Sequence, residues 1–120
     1  MQTTTALSEL ATRDRGEITI DTGLTYDGIS PVRVHVSKRH RRYGVTDKGA
    51  AIATAGVDWN RVAFPDWIAI GEYEVNVGRQ GLVCLSAVQP TEDWLDTICE
   101  LVARGSIALY EQVLDAAPDE

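Results

Sequence analysis

The last quarter of the chain constrains the fold most. Pro90-Thr91-Glu92-Asp93 combines a helix-entry proline, a capping threonine and two acids at the positive end of a helix dipole. Leu95, Ile98, Val102, Leu109 and Val113 then recur on one helical face, and Trp94, Leu101 and Ala108 widen that stripe. The pattern predicts a helix from about Glu92 to Ala116, with Pro118 beyond it. At ~1.5 Å per residue such a helix exceeds ~35 Å, more than strands of ~6 residues cover. The spacing therefore predicts that part of the stripe meets a second chain. Gly105 interrupts the stripe at a cost of ~1 kcal/mol relative to alanine, which marks a kink or a close helix approach.

Upstream, the periodicity changes from helical to alternating. Val32, Val34 and Val36 alternate with Arg33, His35 and Ser37, the clearest strand in the chain, and Tyr43 and Val45 read as its antiparallel partner. Ile18 and Ile20 alternate in the same way, and Leu24 to Tyr26 extends or pairs with that strand. Asp27-Gly28 is a turn signal. Tyr73, Val75 and Val77 alternate with Glu72, Glu74 and Asn76, and Gly78-Arg79-Gln80-Gly81 turns the chain into Leu82 to Val88. That last segment reads as apolar on both faces, hence as a strand inside the sheet. Thr4 to Arg13 places Ala6, Leu7, Leu10 and Ala11 on one face of a short helix. Thr46-Asp47 caps a second helix over Lys48 to Ala55, closed by Gly56. Asp58 to Gly71, with Trp59, Phe64, Pro65 and Trp67, reads as two helical turns broken at the proline and laid over the core.

The elements sum to a single α+β domain over 1–120. It has an antiparallel sheet of about five strands, a short N-terminal helix, a middle helix and a long C-terminal helix, in the order α-β-β-β-α-β-β-α. A chain of 120 residues is long enough for its own core. No segment approaches the ~18 consecutive apolar residues of a membrane span, so no membrane partner is expected. The N-terminus lacks the basic and apolar regions of a signal peptide. Cys84 and Cys99 form neither a disulfide framework nor a metal spacing. Both read as buried thiols of a cytoplasmic protein.

Charge is unevenly placed. The chain has 11 Lys+Arg against 18 Asp+Glu, a net charge of -7, yet four cations sit in Lys38-Arg39-His40-Arg41-Arg42. That run falls at a hairpin tip, where Lys38, Arg39, Arg41 and Arg42 could grip phosphates and Tyr43 could stack on a base. The competing reading is a solvated tip that protects strand edges.

The order of elements, the size and the acidity are similar to the small acidic chaperones of bacterial secretion systems. That resemblance implies a non-enzymatic homodimer binding extended segments of client proteins, and it carries no residue signature. Tyr43-Gly44-Val45-Thr46-Asp47-Lys48-Gly49 also resembles the strand-to-helix turn of uncharacterised bacterial domains, a family that implies no activity.

No catalytic set emerges. His35 and His40 are the only histidines. A catalytic His35 needs a positioned carboxylate, and Glu74 is one conceivable partner. Asp47 reads as a cap rather than a catalytic acid or metal ligand. Asp93, Asp96 and Glu100 share one helical side and read as a solvated face. The expected function is therefore a protein-binding or adaptor module without cofactor or metal. Its candidate contacts are Trp59, Phe64, Trp67, Trp94 and Leu101, since Trp dominates interface energetics. The alternative is a nucleic-acid-binding regulator that uses the basic hairpin.

Overall fold

The structure, a computed structural model, describes residues 4–116, with side chains from residue 7 to residue 115. Expectations that involve the Ala6 side chain and Pro118 lie outside the described residues. The elements are α1 (Thr4–Ala11), β1 (Arg15–Thr25), β2 (Pro31–Arg39), β3 (Arg42–Thr46), α2 (Ala50–Ala55), β4 (Trp67–Ile70), β5 (Tyr73–Val77), β6 (Val83–Val88) and α3 (Glu92–Ala116). They form one antiparallel sheet of six strands in the order β1-β2-β3-β6-β5-β4.

The sixth strand is β4. Alternation is too short over four residues to announce it, and pairing supplies it: Ile68 lies opposite Val75, and both are buried under α3. The pair of helical turns expected around Pro65 is thus replaced at its C-terminal end by an edge strand. β6 is central, as its apolar composition predicted, but only one of its faces is dry. Val83 is buried, while Ser86 and Val88 point the other way and are exposed.

All the buried valines of β2 (Val32, Val34, Val36) share the face on which α3 lies. Leu7 and Leu10 of α1 and Ala51 and Ile52 of α2 complete the same core. Thr91 caps α3 as expected, its hydroxyl accepting the Trp94 N–H at 3.1 Å. Gly56 closes α2 in the left-handed conformation, φ 70°, with its N–H donated to the Ala53 carbonyl.

One expectation fails here. Leu95, Ile98, Val102, Leu109 and Val113 are all buried within a single chain, so none of these five is left for a partner, and of the residues that widen the stripe only Trp94 is more than a third exposed. The reason is direction. The expectation measured the helix against the length of a strand, whereas α3 runs across the sheet and touches all six strands. At ~4.8 Å per neighbouring strand the sheet is ~24 Å wide, and α1 and α2 pack against the helix beyond it. Gly105 marks a close approach of α3 to the sheet. A Cβ there would stand 3.1 Å from Val75 Cγ1 and 3.2 Å from Val83 Cγ1.

Candidate functional site

The uncovered face of the sheet follows from register. Residues alternating with the core positions fall into rows that cross the strands. One row is Arg15, Arg39, Arg42 and Val88; the next is Glu17, Ser37, Gly44 and Ser86. A third runs the full width as Thr19, His35, Thr46, Cys84, Asn76 and Trp67. Most of these side chains are exposed and the rest half-buried.

This arrangement divides the basic run. The hairpin tip is only His40 and Arg41, with His40 at φ 58°. Arg39 and Arg42 project from the open face, directly opposite one another, and Arg15 joins them from β1. None of these three, nor Arg41, has an ion-pair partner among the described residues. Lys38 and Tyr43 belong to the helix-covered side. The Lys38 ammonium donates to the Ala11 carbonyl at the end of α1 (2.9 Å) and lies 5.4 Å from the centre of the Tyr43 ring. Tyr43 itself is buried, so the expected base-stacking role is not open to it. Arg15 was not anticipated, because 24 positions separate it from Arg39 and only strand pairing brings them together.

The aromatic residues do not form one cluster. Among the described residues, ring contacts join Tyr26 with Tyr110 and Tyr73 with Trp94. Trp67 stands on the open face, Phe64 is half-buried against the core, and Trp59 is exposed in the loop after α2. Tyr73 and Trp94, each more than a third exposed, meet on the other side with ring centres 5.7 Å apart. Beside them a shallow groove lies between the β4–β5 turn and α3, lined by Ile70, Gly71, Tyr73, Thr97, Leu101 and Arg104. Leu101 lines it but is itself mostly buried, so it forms a floor rather than an anchor. The guanidinium of Arg104 stays on its own helix, paired with Glu100 at 3.0 Å. Among the described residues, no strand lies beside the outer edge of β4.

Asp47 is the most heavily bonded side chain. Almost fully buried, it accepts hydrogen bonds from the Gly49 N–H (2.9 Å), Ala51 N–H (3.4 Å), Val83 N–H (3.0 Å) and Ser106 hydroxyl (2.6 Å). The Ser106 hydroxyl is also 2.7 Å from the Tyr26 hydroxyl. The expected cap shifts: α2 begins at Ala50 with Gly49 at its N-cap, and Asp47, three positions before Ala50, accepts the Gly49 and Ala51 N–H groups while binding the end of β3, the start of β6 and the middle of α3 together. Each carboxylate oxygen accepts two of these bonds, which gives Asp47 a structural task.

His35 contacts the Thr19 hydroxyl at 3.0 Å. Glu74 is three strands away, so the pairing considered from the sequence does not form. Partial burial first, and the Lys48 ammonium second, hold His35 below the usual imidazole value of 6.5, against the opposing pull of Glu17. Lys48 and Glu17 are themselves ion-paired. Because the unfolded chain binds the proton more tightly, the contribution of His35 to stability is complete above pH 6.5 and is lost as the pH falls below it. Urea midpoints measured at steps between neutral and mildly acidic pH are expected to fall in that window, and His35→Gln is expected to flatten the fall. Equal slopes for both proteins would show that other groups carry it.

Burial raises both thiols, Cys99 to about 12, so neither is an activated nucleophile. Comparison with family models, with curated proteins and with solved structures finds no match for this chain.

Proposed function

We propose that the protein is a non-enzymatic protein-binding module, adaptor or chaperone-like, whose contact surface is the β4 edge together with the groove beside Tyr73 and Trp94. The observation that carries this reading is the coincidence of a strand edge unpaired among the described residues with two partly exposed aromatic rings in tilted contact, 51° between their planes. An edge strand offers a row of main-chain donors and acceptors to an extended segment. The groove floor of Ile70 and Leu101 then accepts apolar side chains from that segment, and Tyr73 and Trp94 supply large contact area where it enters. The proposed client is therefore an extended polypeptide with alternating apolar residues.

Homodimerisation, the expected oligomeric state, loses its first ground because the α3 stripe is buried in one chain. The β4 edge is the surface left for a second copy in this reading, and light scattering over a concentration series reads whether a dimer forms.

The test is selection from a displayed library of extended peptides, with hydrogen exchange on the selected complex. Protection of the amides of Trp67–Ile70 is expected. Trp94→Ala and Tyr73→Ala are each expected to weaken binding at least ten-fold, because buried aromatic anchors carry about 2 kcal/mol or more. Peptides that bind unchanged to both variants, or that leave β4 unprotected, would overturn the reading.

A further inference from the structure

We infer that the open sheet face is a second binding surface, built for the phosphodiester backbone of single-stranded nucleic acid and centred on Arg15, Arg39 and Arg42. Three arginines directly opposite one another on neighbouring strands repel, and no described acid pairs with any of them. The one carboxylate in the adjoining row, Glu17, is already held by Lys48. The row thus presents unneutralised charge of one sign, which an anion relieves. Guanidinium forks match phosphate oxygens in pairs, and at ~4.8 Å per strand the outer two of the three stand ~10 Å apart.

The floor beside the arginines is low. Ser37, Gly44 and Ser86 form the next row, and Gly44 has no side chain to obstruct a backbone lying across it. The platform then extends to Trp67, half exposed on the same face. From strand spacing and rise, Trp67 stands roughly 20 Å from Arg42, so a strand crossing the sheet reaches both. A flat sheet with a cationic row and an exposed aromatic ring suits a single strand, whose bases are free to stack.

The net charge of -7 does not oppose this, because most acids lie away from the arginine row: on the open face Asp21 stands opposite Arg33 and Glu74 lies on β5. α3 carries six acids and one arginine on the far side of the sheet, where a screening length of ~8 Å at physiological salt weakens repulsion. An acidic polypeptide would meet the same arginines, but it would gain nothing from Trp67.

Fluorescence anisotropy with a short labelled oligothymidylate tests the inference. Binding at low ionic strength is expected, with a log–log salt slope of about -2 for three phosphates. Arg15→Ala, Arg39→Ala and Arg42→Ala are each expected to flatten that slope by about 0.7. Each should leave the melting temperature unchanged or raise it, since like-charge repulsion is removed. Trp67→Leu is expected to lower affinity about five-fold or more without changing the slope. Arg79→Ala, and the Tyr73 and Trp94 variants that test the client groove, are expected to bind as the parent does. The inference is overturned by no binding at low salt, by a salt slope indifferent to the three arginines, or by equal affinity for a polyglutamate peptide.

Discussion

Asp47→Ala is expected to lower the unfolding free energy by about 3–5 kcal/mol. The substitution removes the acceptor of four donors: the N–H groups of Gly49, Ala51 and Val83, and the Ser106 hydroxyl. The Val83 and Ser106 groups lie where water does not reach, both residues being fully buried, and an unpaired buried donor costs about 1–3 kcal/mol. Ser106 retains Tyr26 as a partner, which keeps the total below the sum of four separate losses. Asp47→Asn keeps the shape but turns one acceptor into a donor aimed at other donors, so it is expected to recover only part of the loss. Urea unfolding of the two variants measures this, as a lowered midpoint at constant slope. A loss under 1 kcal/mol would mean that water had entered to replace the carboxylate, and that the junction is looser than the geometry describes.

At Gly105, propensity and packing make opposite predictions. On an isolated helix Gly105→Ala would stabilise by about 1 kcal/mol. In the folded protein the new methyl group meets Val75 Cγ1 at 3.1 Å, Val83 Cγ1 at 3.2 Å and Val75 Cβ at 3.3 Å. Both valines are fully buried on adjacent strands, and neither can yield without moving the sheet. Overpacking of this kind costs about 1–3 kcal/mol. A net loss near 1 kcal/mol is therefore expected for Gly105→Ala and about 3 kcal/mol for Gly105→Val, whose second branch has nowhere to go. Thermal unfolding of both variants decides it. A more stable alanine variant would show that α3 can lift from β5 and β6 at little cost.

Much of the architecture was legible because it is local. The threonine cap at Thr91, the extent of α3, the Val32–Val36 alternation and the left-handed glycine after Ala55 each follow from residues within one turn or one strand of each other. β4 was not legible, since four residues hold too little periodicity and its identity comes from facing β5. The reach of α3 was misjudged for a related reason: the length of a helix is written in its residues, but the direction in which it crosses a sheet is not.

The same division runs through the candidate sites. Composition and pattern alone determined that the chain folds as α+β, that its positive charge concentrates near residues 38–42, and that its tryptophans are candidate anchors. Only the tertiary structure decided which of these residues share a surface. Pleat alternation turned Lys38 and Tyr43 inward and Arg39 and Arg42 outward, and antiparallel pairing brought Arg15 beside them. Trp67 and Trp94, both tryptophans with comparable exposure, ended on opposite sides of one sheet. Side-chain character travels with the residue. Adjacency is a property of the register, and register is set by all six strands and the helix together.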